Sequence, residues 1–341
     1  MTEIVNDVEQ CVDRAIARVG KQLVIGAPLG LGKPVQLINA FYRRAVADPG
    51  LSLHIYTALC LEVPTPAKGI EGNLSGPIIQ RLFGDYEELA FMAPLRKGTL
   101  PANIQISELY FKAGSMKNVA SAQQNYISSN YTHIARDMFN AGANVMVQLV
   151  AARHTPDGLS VSLSCNPDVA LEMMDKLHAS DRRHITIGQV HDDLPFMQND
   201  AEVGVGAFDL LVSNPQYNKS LFAVPNATVP LQDYATALHA STLVADGGTL
   251  QIGIGALGDA VAHSLILRQR HNRQYREAVQ ALSREKTVVA EDGGPFDQGL
   301  YVSTEMFVNG MLHLIENAVG KRKVYDHLVL QRGINAGLIS N

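Results

Sequence analysis

Glu305 stands out in this sequence because it falls at a strand-to-helix junction. It lies in the stretch Tyr301–Glu316 and follows a short β-prone run, Leu300–Thr304. After it, the apolar residues at 306, 307, 311, 312 and 315 recur at helical spacing. Open α/β sheets carry their chemistry at such junctions, so Glu305 is a candidate catalytic residue. The structural alternative is a carboxylate that only complements the dipole of the helix.

A glycine-rich turn forms a second junction earlier in the chain. Thr249–Ile252 predicts a strand, and the turn after it leads into a helix that begins near Asp259. Glycine allows close approach, and a helix start aims backbone N–H groups at a ligand. The candidate cofactor-binding residues of this turn are Gly253, Ile254, Gly255 and Ala256.

The same turn has the form Gly-x-Gly-x-x-Gly, which leaves open a nicotinamide- or flavin-dinucleotide site in an oxidoreductase that uses the Gly253–Gly258 loop. That site also needs an acid about 20 residues further on, at the end of a strand. Glu277 lies at about this distance along the chain but within a predicted helix, Leu265–Glu285. Glu291 and Asp292 lie further along the chain than the motif requires. The dinucleotide hypothesis is therefore the minor one.

The turn Gly26–Pro34 follows a predicted strand, Lys21–Ile25, and precedes a predicted helix, Val35–Ala47. It does not fit a nucleotide-binding P-loop, because five residues rather than four separate Gly26 from Gly32 and Pro34 stands where a Ser or Thr should ligate magnesium. Proline suits the first turn of a helix, so the loop can still present backbone donors. Gly30 and Gly32 are candidate ligand-binding residues.

The chain of 341 residues is long enough for about two domains. Strand and helix signals alternate on both sides of a loop-rich passage, which predicts two related, open, largely parallel α/β domains. We place the domains at residues 1–226 and 228–341, with Glu305 in the cleft between them. Within the first domain, the sequence predicts a loop over Glu62–Gly76 and then a helix over Ile78–Phe91.

The end of the chain predicts an incomplete second domain. Val324–Leu330 offers one strand, and Gly333–Asn341 lacks the apolar residues of a packed helix. A half-built sheet exposes an edge and an apolar face, so we expect a homo-oligomer. We also expect this chain by itself to be a poor catalyst.

Composition excludes several classes of protein. No apolar run is long enough to cross a membrane, and the acidic N-terminus has no secretory signal, which favours a cytoplasmic protein. The net charge of −5 argues against a nucleic-acid partner. We interpret the basic helix Leu265–Glu285, which includes Arg268, as a solvated face. The histidines and the three cysteines lack the spacing of a metal site, and Cys11, Cys60 and Cys165 are interpreted as buried thiols.

Three passages resemble the acetyl-CoA hydrolase/transferase family, which includes acetate-, butyrate-, succinate- and 4-hydroxybutyrate-type CoA-transferases. Asn144–Val150 followed by His154–Leu163 is similar to the family's passage of a strand and then Pro-x-x-x-Gly-x-x-Ser-Leu. Leu243–Val261 is similar to its Asp-Gly-x-Thr-Leu-Gln-x-Gly-Ile-Gly loop, with Gly258 where Pro is usual. Thr304–Gly310 is similar to its Ser/Thr-Glu-Met-Phe-x-Asp-Gly segment, with Asn309 where Asp is common.

The resemblance implies a CoA-transferase-like fold and a nucleophilic glutamate at Glu305. It implies an enzyme that is either an acyl-CoA:carboxylate CoA-transferase or an acyl-CoA hydrolase, with acyl-CoA and a small carboxylate as partners, coenzyme A bound as acyl-CoA substrate, and no metal. It also implies a second domain longer than the part up to Asn341. A non-catalytic acyl-CoA-binding module is the alternative that the departures from the family pattern favour.

Overall fold

The computed structural model describes residues 2–66, 68–156, 158–221, 228–283 and 293–340, with Asp168 described in its backbone alone. The chain divides into two compact units, Met1–Ala223 and Val224–Asn341. The predicted domain boundary near Asn226 falls outside the described residues. The predicted α/β class, with a large, mainly parallel sheet and a smaller second one, is confirmed.

The large sheet of the first unit has a parallel body and an antiparallel extension. Seven parallel strands lie in the order β1-β9-β7-β5-β2-β3-β4, and β6 and β8 extend β5 in antiparallel fashion. The strands of this unit are β1 Glu3–Val5, β2 Gln22–Leu29, β3 Ser52–Ala58, β4 Ile104–Glu108, β5 Val145–Thr155, β6 Gly158–Ser162, β7 Ile185–Val190, β8 Glu202–Val203 and β9 Leu210–Val212. Its helices are α1 Val8–Val19, α2 Val35–Ala47, α3 Ile70–Phe83, α4 Met92–Lys97, α5 Ala120–Gln124, α6 Ile134–Asn140 and α7 Pro167–His178.

The central strands of this sheet are covered on both faces. Every residue of β7 is buried, as are the first seven residues of β5, which is expected of parallel strands packed between two helical layers. Val12 of α1 and Phe41 of α2 lie in one core, whereas Met138 of α6 and Met173 of α7 lie in another. The first unit is therefore doubly wound.

The order of the strands reverses at β2. From β2 the chain continues to β3 and β4 on one side of the sheet, and then returns to β5, which pairs with the other side of β2. Ligands of open α/β proteins bind beside the carboxyl ends of the strands at such a reversal. The turn that contains Gly30 and Gly32 directly follows β2 at this position.

The predicted loop and helix after β3 have the wrong bounds. α3 runs from Ile70 to Phe83 and contains Pro77, so the predicted loop over Glu62–Gly76 ends before Ile70 and the predicted helix over Ile78–Phe91 ends at Phe83. Gly76 and Pro77 signal a break in the sequence, but the apolar residues of this stretch keep helical spacing across them. The helix ends at Gly84, whose φ of 56° favours glycine and whose N–H donates to the Gln80 carbonyl.

The second unit has a small parallel sheet and five helices within its described ranges. Its strands are β10 Thr249–Gln251 and β11 Tyr301–Ser303, and its helices are α8 Leu231–Ser241, α9 Ala256–Arg270, α10 Asn272–Leu282, α11 Asn309–Glu316 and α12 Leu328–Asn335. Ile252, Leu265, Leu300, Met311 and Leu314 lie in its core.

The predicted strand over Val324–Leu330 is wrong, because Leu328–Asn335 forms α12. The side chain of His327 accepts a hydrogen bond from the Leu330 N–H at 3.2 Å and so caps the first turn of this helix. No helix in the described part of the chain is both long and apolar enough to cross a bilayer.

Candidate functional site

The two strands of the second unit end side by side. β10 and β11 are parallel and in register, with Leu250 opposite Val302 and Gln251 opposite Ser303. Ile252 extends the pairing, because its N–H donates to the Ser303 carbonyl at 3.0 Å. The glycine turn after β10 and the segment after β11 therefore leave the sheet at the same level, at its carboxyl edge.

Glu305 lies in the short connection between β11 and α11, as predicted from its place between a strand and a helix. Its side chain is exposed, and it has no hydrogen bond or ion pair with any residue of the described ranges. The connection is shaped by Thr304, whose hydroxyl donates to the Met306 carbonyl at 2.9 Å. A carboxylate with both oxygens free is available to a substrate.

The helix after Glu305 begins later than its apolar spacing predicts. Met306 and Phe307 precede α11, which begins at Asn309, and about half of each side chain is exposed. Val308 has an extended backbone, with φ of −108° and ψ of 170°, so the helix cannot include it. Two apolar side chains therefore stand in solvent beside the free carboxylate.

The glycine turn has a tightly packed base and an open rim. Gly253, Ile254 and Gly255 are exposed, and α9 starts at Ala256. Gly255 has a φ of 109°, which a residue with a side chain rarely adopts. A Cβ atom at Gly258 would lie 2.2 Å from the Gly253 carbonyl oxygen, so the first turn of α9 can pack against the loop only with glycine there.

The start of α9 packs against the start of α11. A Cβ atom at Gly310 would lie 3.1 Å from Oδ1 of Asp259 and 3.3 Å from the Cβ of Ala262. Two helix N-termini thus lie close together in this unit. The first N–H groups of a helix have no carbonyl within the helix to bond, so each start offers donors to an anionic group.

Asp246 fixes the loop that leads into β11. Its carboxylate accepts hydrogen bonds from the backbone N–H groups of Asp297 at 3.0 Å and of Gln298 and Gly299 at 2.9 Å. Burial opposes its ionisation, but the hydrogen bonds from these N–H groups outweigh burial and hold the pKa of Asp246 below its usual value. Asp246 is therefore a structural residue of the motif.

We expect Asp246→Asn to lower the free energy of unfolding by about 1 kcal/mol near neutral pH, since solvent screens part of the interaction. An aspartate whose folded pKa is depressed adds stability above its unfolded pKa of about 3.9, and this stability is lost as pH falls through the folded pKa. Chemical unfolding of wild type and Asp246→Asn should therefore differ near pH 6 and converge towards pH 3. An equal difference at both pH values would contradict the role of the charge.

The basic helix is not a uniformly solvated face, so that prediction is corrected at Arg268. This side chain is fully buried, and its guanidinium donates to the carbonyls of Ser241, Val244 and Gly294 and lies 4.3 Å from the centre of the Phe296 ring. It supplies donors to the end of α8 and to the loop that follows residue 292.

Of the acids considered for a dinucleotide site, Glu277 alone belongs to the described residues, and it does not lie at the end of a strand. Glu277 lies within α10 and is exposed, with an Oε1 atom 3.8 Å from Nε of Arg273. Glu291 and Asp292 lie outside the described residues, as do Arg284 and Lys286. The turn Gly253–Gly258 therefore has the glycine pattern of such a site, and Glu277 adds no support to it.

In the first unit, Gly32 packs closely against its neighbours. A Cβ atom there would lie 3.0 Å from the Cys165 carbonyl oxygen, and the Gly32 N–H donates to Oδ1 of Asn166 at 3.2 Å. The N–H of Gly32 is thus already bonded. Beside this turn lies a cavity of about 30 Å³ whose lining includes Gly30, Leu31 and Lys33, room for about one water molecule.

A buried charged cluster lies near that turn, and sequence reasoning missed it. The Lys33 amine is buried and donates to the carbonyls of Ala58 and Leu59. Burial raises the pKa of Glu108, which is 2% exposed, and Oε1 of Glu108 has no partner among the described residues. The lysine follows a glycine turn and the glutamate ends β4, and only the folded sheet brings these signals together.

The three cysteines differ in exposure. Cys11 is buried, whereas Cys60 and Cys165 are half-buried, and burial raises the pKa of all three thiols, to about 12 for Cys11. The described residues hold no group of three or more His, Cys, Asp or Glu side chains arranged for a metal ion.

Comparisons with known proteins show the fold of the chain. No protein-family model and no curated protein sequence matches it. Among solved structures, RipA from Yersinia pestis matches with a TM-score of 0.61 at 17% identity, over 93% of this chain and 59% of that protein. A 4-hydroxybutyrate CoA-transferase from Porphyromonas gingivalis matches with a TM-score of 0.50 at 15% identity, over 93% and 57%.

A protein assigned as the alpha subunit of citrate lyase from Streptococcus mutans, solved with citrate, has a TM-score of 0.51 at 11% identity, over 94% of this chain and 54% of that protein. The chain thus spans less than two thirds of the length of each of these three structures. At these identities the likeness shows the fold alone: the chain has a CoA-transferase-like fold.

Proposed function

We propose that the chain contains the nucleophile of an acyl-CoA:carboxylate CoA-transferase or acyl-CoA hydrolase, and that Glu305 is that nucleophile. The observation that supports this most is the free, exposed carboxylate of Glu305, which follows β11 at the same level as the glycine turn after β10. The proposal also draws on the fold, which the chain shares with a 4-hydroxybutyrate CoA-transferase.

The first half of the reaction forms a thioester on the protein. A Glu305 oxygen attacks the thioester carbonyl of the acyl-CoA, the carbon–sulfur bond breaks, and CoA leaves as a thiolate. The product on the protein is an acyl-glutamyl anhydride. The thiolate then attacks the glutamyl carbonyl, the anhydride bond breaks, the acyl group leaves as a carboxylate, and a glutamyl-CoA thioester remains.

The second half depends on which molecule attacks this thioester. A carboxylate acceptor forms a new anhydride and releases the thiolate, which then attacks the acceptor's acyl carbon and regenerates the Glu305 carboxylate. Water instead gives free CoA and glutamate, which makes the same site a hydrolase. The exposure of the segment around Glu305 favours neither transfer nor hydrolysis, because the shape of the pocket selects the acceptor.

The glycine turn would stabilise the negative charge that develops on the carbonyl oxygen. Gly253, Ile254, Gly255 and Ala256 lead into the start of α9, whose first N–H groups are free of intrahelical bonds. Donors fixed before the reaction stabilise an oxyanion at little reorganisation cost. We assign the turn this role, whereas ligand binding at Gly30 and Gly32 of the first unit stays a separate prediction.

Covalent capture tests the proposal. After incubation with acetyl-CoA, borohydride should reduce a glutamyl thioester to an alcohol, which makes the peptide containing Glu305 lighter than the unmodified peptide. Peptide mass spectrometry should detect this change in wild type and in Asp246→Asn, and should not detect it in Glu305→Gln or when acetyl-CoA is omitted.

Transfer or hydrolysis by wild type without any change in that peptide would contradict the covalent route. Binding of acyl-CoA with neither turnover nor a mass change would indicate a non-catalytic acyl-CoA-binding module. Tight binding of a nicotinamide dinucleotide that is indifferent to CoA would support the oxidoreductase alternative.

A further inference from the structure

Helix α3 exposes the apolar stripe that a helix normally buries. Ile70, Leu74, Ile78 and Leu82 recur every four residues and are 90%, 72%, 54% and 37% exposed, whereas Phe83 packs inward. A surface helix normally turns such a stripe towards its own core. Contiguous exposed apolar side chains mark a surface that another molecule covers.

The stripe has the same spacing from either end. If two copies of α3 lie antiparallel and are centred on position 76, Ile70 is level with Leu82 of the second copy, and Leu74 is level with Ile78. Rows of residues spaced by four are among the ridges through which helices pack, and a nearly aligned pair packs them with rows spaced by three. The pattern therefore fits a second copy of the same helix.

The charges on the helix fit the same arrangement. Glu71 lies in the first turn and Arg81 in the last, both are exposed, and neither has an ion-pair partner in the described part of the chain. In an antiparallel pair, Glu71 of one copy is level with Arg81 of the other. The two helix dipoles then also run in opposite directions, which is favourable.

We propose that α3 is a self-association surface through which two copies of this chain pair with their α3 helices antiparallel. This surface involves neither Glu305 nor the edge of either sheet. One helix face supplies only part of the roughly 800 Å² per partner that a stable interface buries. The association is therefore reversible and depends on concentration.

Analytical ultracentrifugation over a range of protein concentrations tests this surface. The wild-type mass should rise with concentration, and Leu74→Glu with Ile78→Glu should remain a monomer with an unchanged circular dichroism spectrum, since both side chains are exposed. The matched control is Leu231→Glu with Leu243→Glu, because these leucines are 81% and 78% exposed on the second unit. This control should associate as wild type does.

Disulfide formation tests the orientation. Residues 70 and 82 are about 18 Å apart along the helix, so two copies of residue 70 lie far from each other in an antiparallel pair. Under oxidation, a mixture of Ile70→Cys and Leu82→Cys proteins should form a linked heterodimer, and either protein alone should not. Charge reversal at Glu71 should weaken association a few-fold, and adding Arg81→Glu should restore it.

Three results would overturn the proposal. The first is a wild-type monomer at every concentration, which is also what a face covered by a different protein would give. The second is unchanged association in the Leu74→Glu, Ile78→Glu variant. The third is cross-linking of Ile70→Cys to itself and not to Leu82→Cys, which would indicate parallel helices.

Discussion

Glu305→Gln is expected to lower kcat for CoA transfer or hydrolysis by at least about a thousandfold, as removal of a covalent nucleophile does in other enzymes. The amide keeps the size and hydrogen-bonding capacity of the side chain but cannot form the anhydride. Glu305 is exposed and has no partner among the described residues, so the substitution should leave the thermal unfolding midpoint unchanged.

The affinity for acyl-CoA separates this role from a binding role. The carboxylate attacks after the substrate is bound, so the dissociation constant of acyl-CoA should change little in Glu305→Gln while kcat falls. Glu316→Gln is the matched control: this glutamate is also exposed, lies at the end of α11 and pairs with His313 at 3.0 Å. Turnover in Glu305→Gln equal to that of Glu316→Gln would remove Glu305 from the mechanism.

The sequence predicted the elements that combine a regular pattern with clear ends. α2 matches its predicted range, Val35–Ala47, and Pro34 just before its first position marks the start. The junction at Glu305 was predicted for the same reason, since a strand signal and a helix signal flank it.

The errors arose where local signals conflict or where distant residues decide. At α3, Gly76 and Pro77 favour a loop, and the apolar spacing that continues through them is what the helix follows. Arg268 resembles the other basic residues of its helix in sequence. It is buried because carbonyl groups from Ser241 and Gly294, which are far from it along the chain, converge on its guanidinium. No local pattern contains that information.

Gly258 shows how a departure from a family motif acquires a physical reason from the structure. The family motif that this stretch resembles has proline at this position. Proline would clash here, as would any other residue with a Cβ atom. The Cβ of any such residue would lie 2.2 Å from the Gly253 carbonyl oxygen, and that oxygen belongs to the backbone and cannot rotate away. The turn and the helix start must separate to accept it.

Gly258→Ala is therefore expected to lower the free energy of unfolding by about 1–3 kcal/mol, as overpacking of a closed site does, even though alanine favours helix more than glycine. Displacement of the turn should also lower kcat/KM for acyl-CoA by about a hundredfold, since a shift of about 1 Å at catalytic donors has that effect. Gly253→Ala is the matched control, because its Cβ would meet nothing within 4 Å, and it should cost no more than about 0.5 kcal/mol. Denaturant unfolding and steady-state kinetics of both variants measure these effects. If Gly258→Ala is as stable and as active as Gly253→Ala, then the close packing of the turn against α9 is not what forms the site.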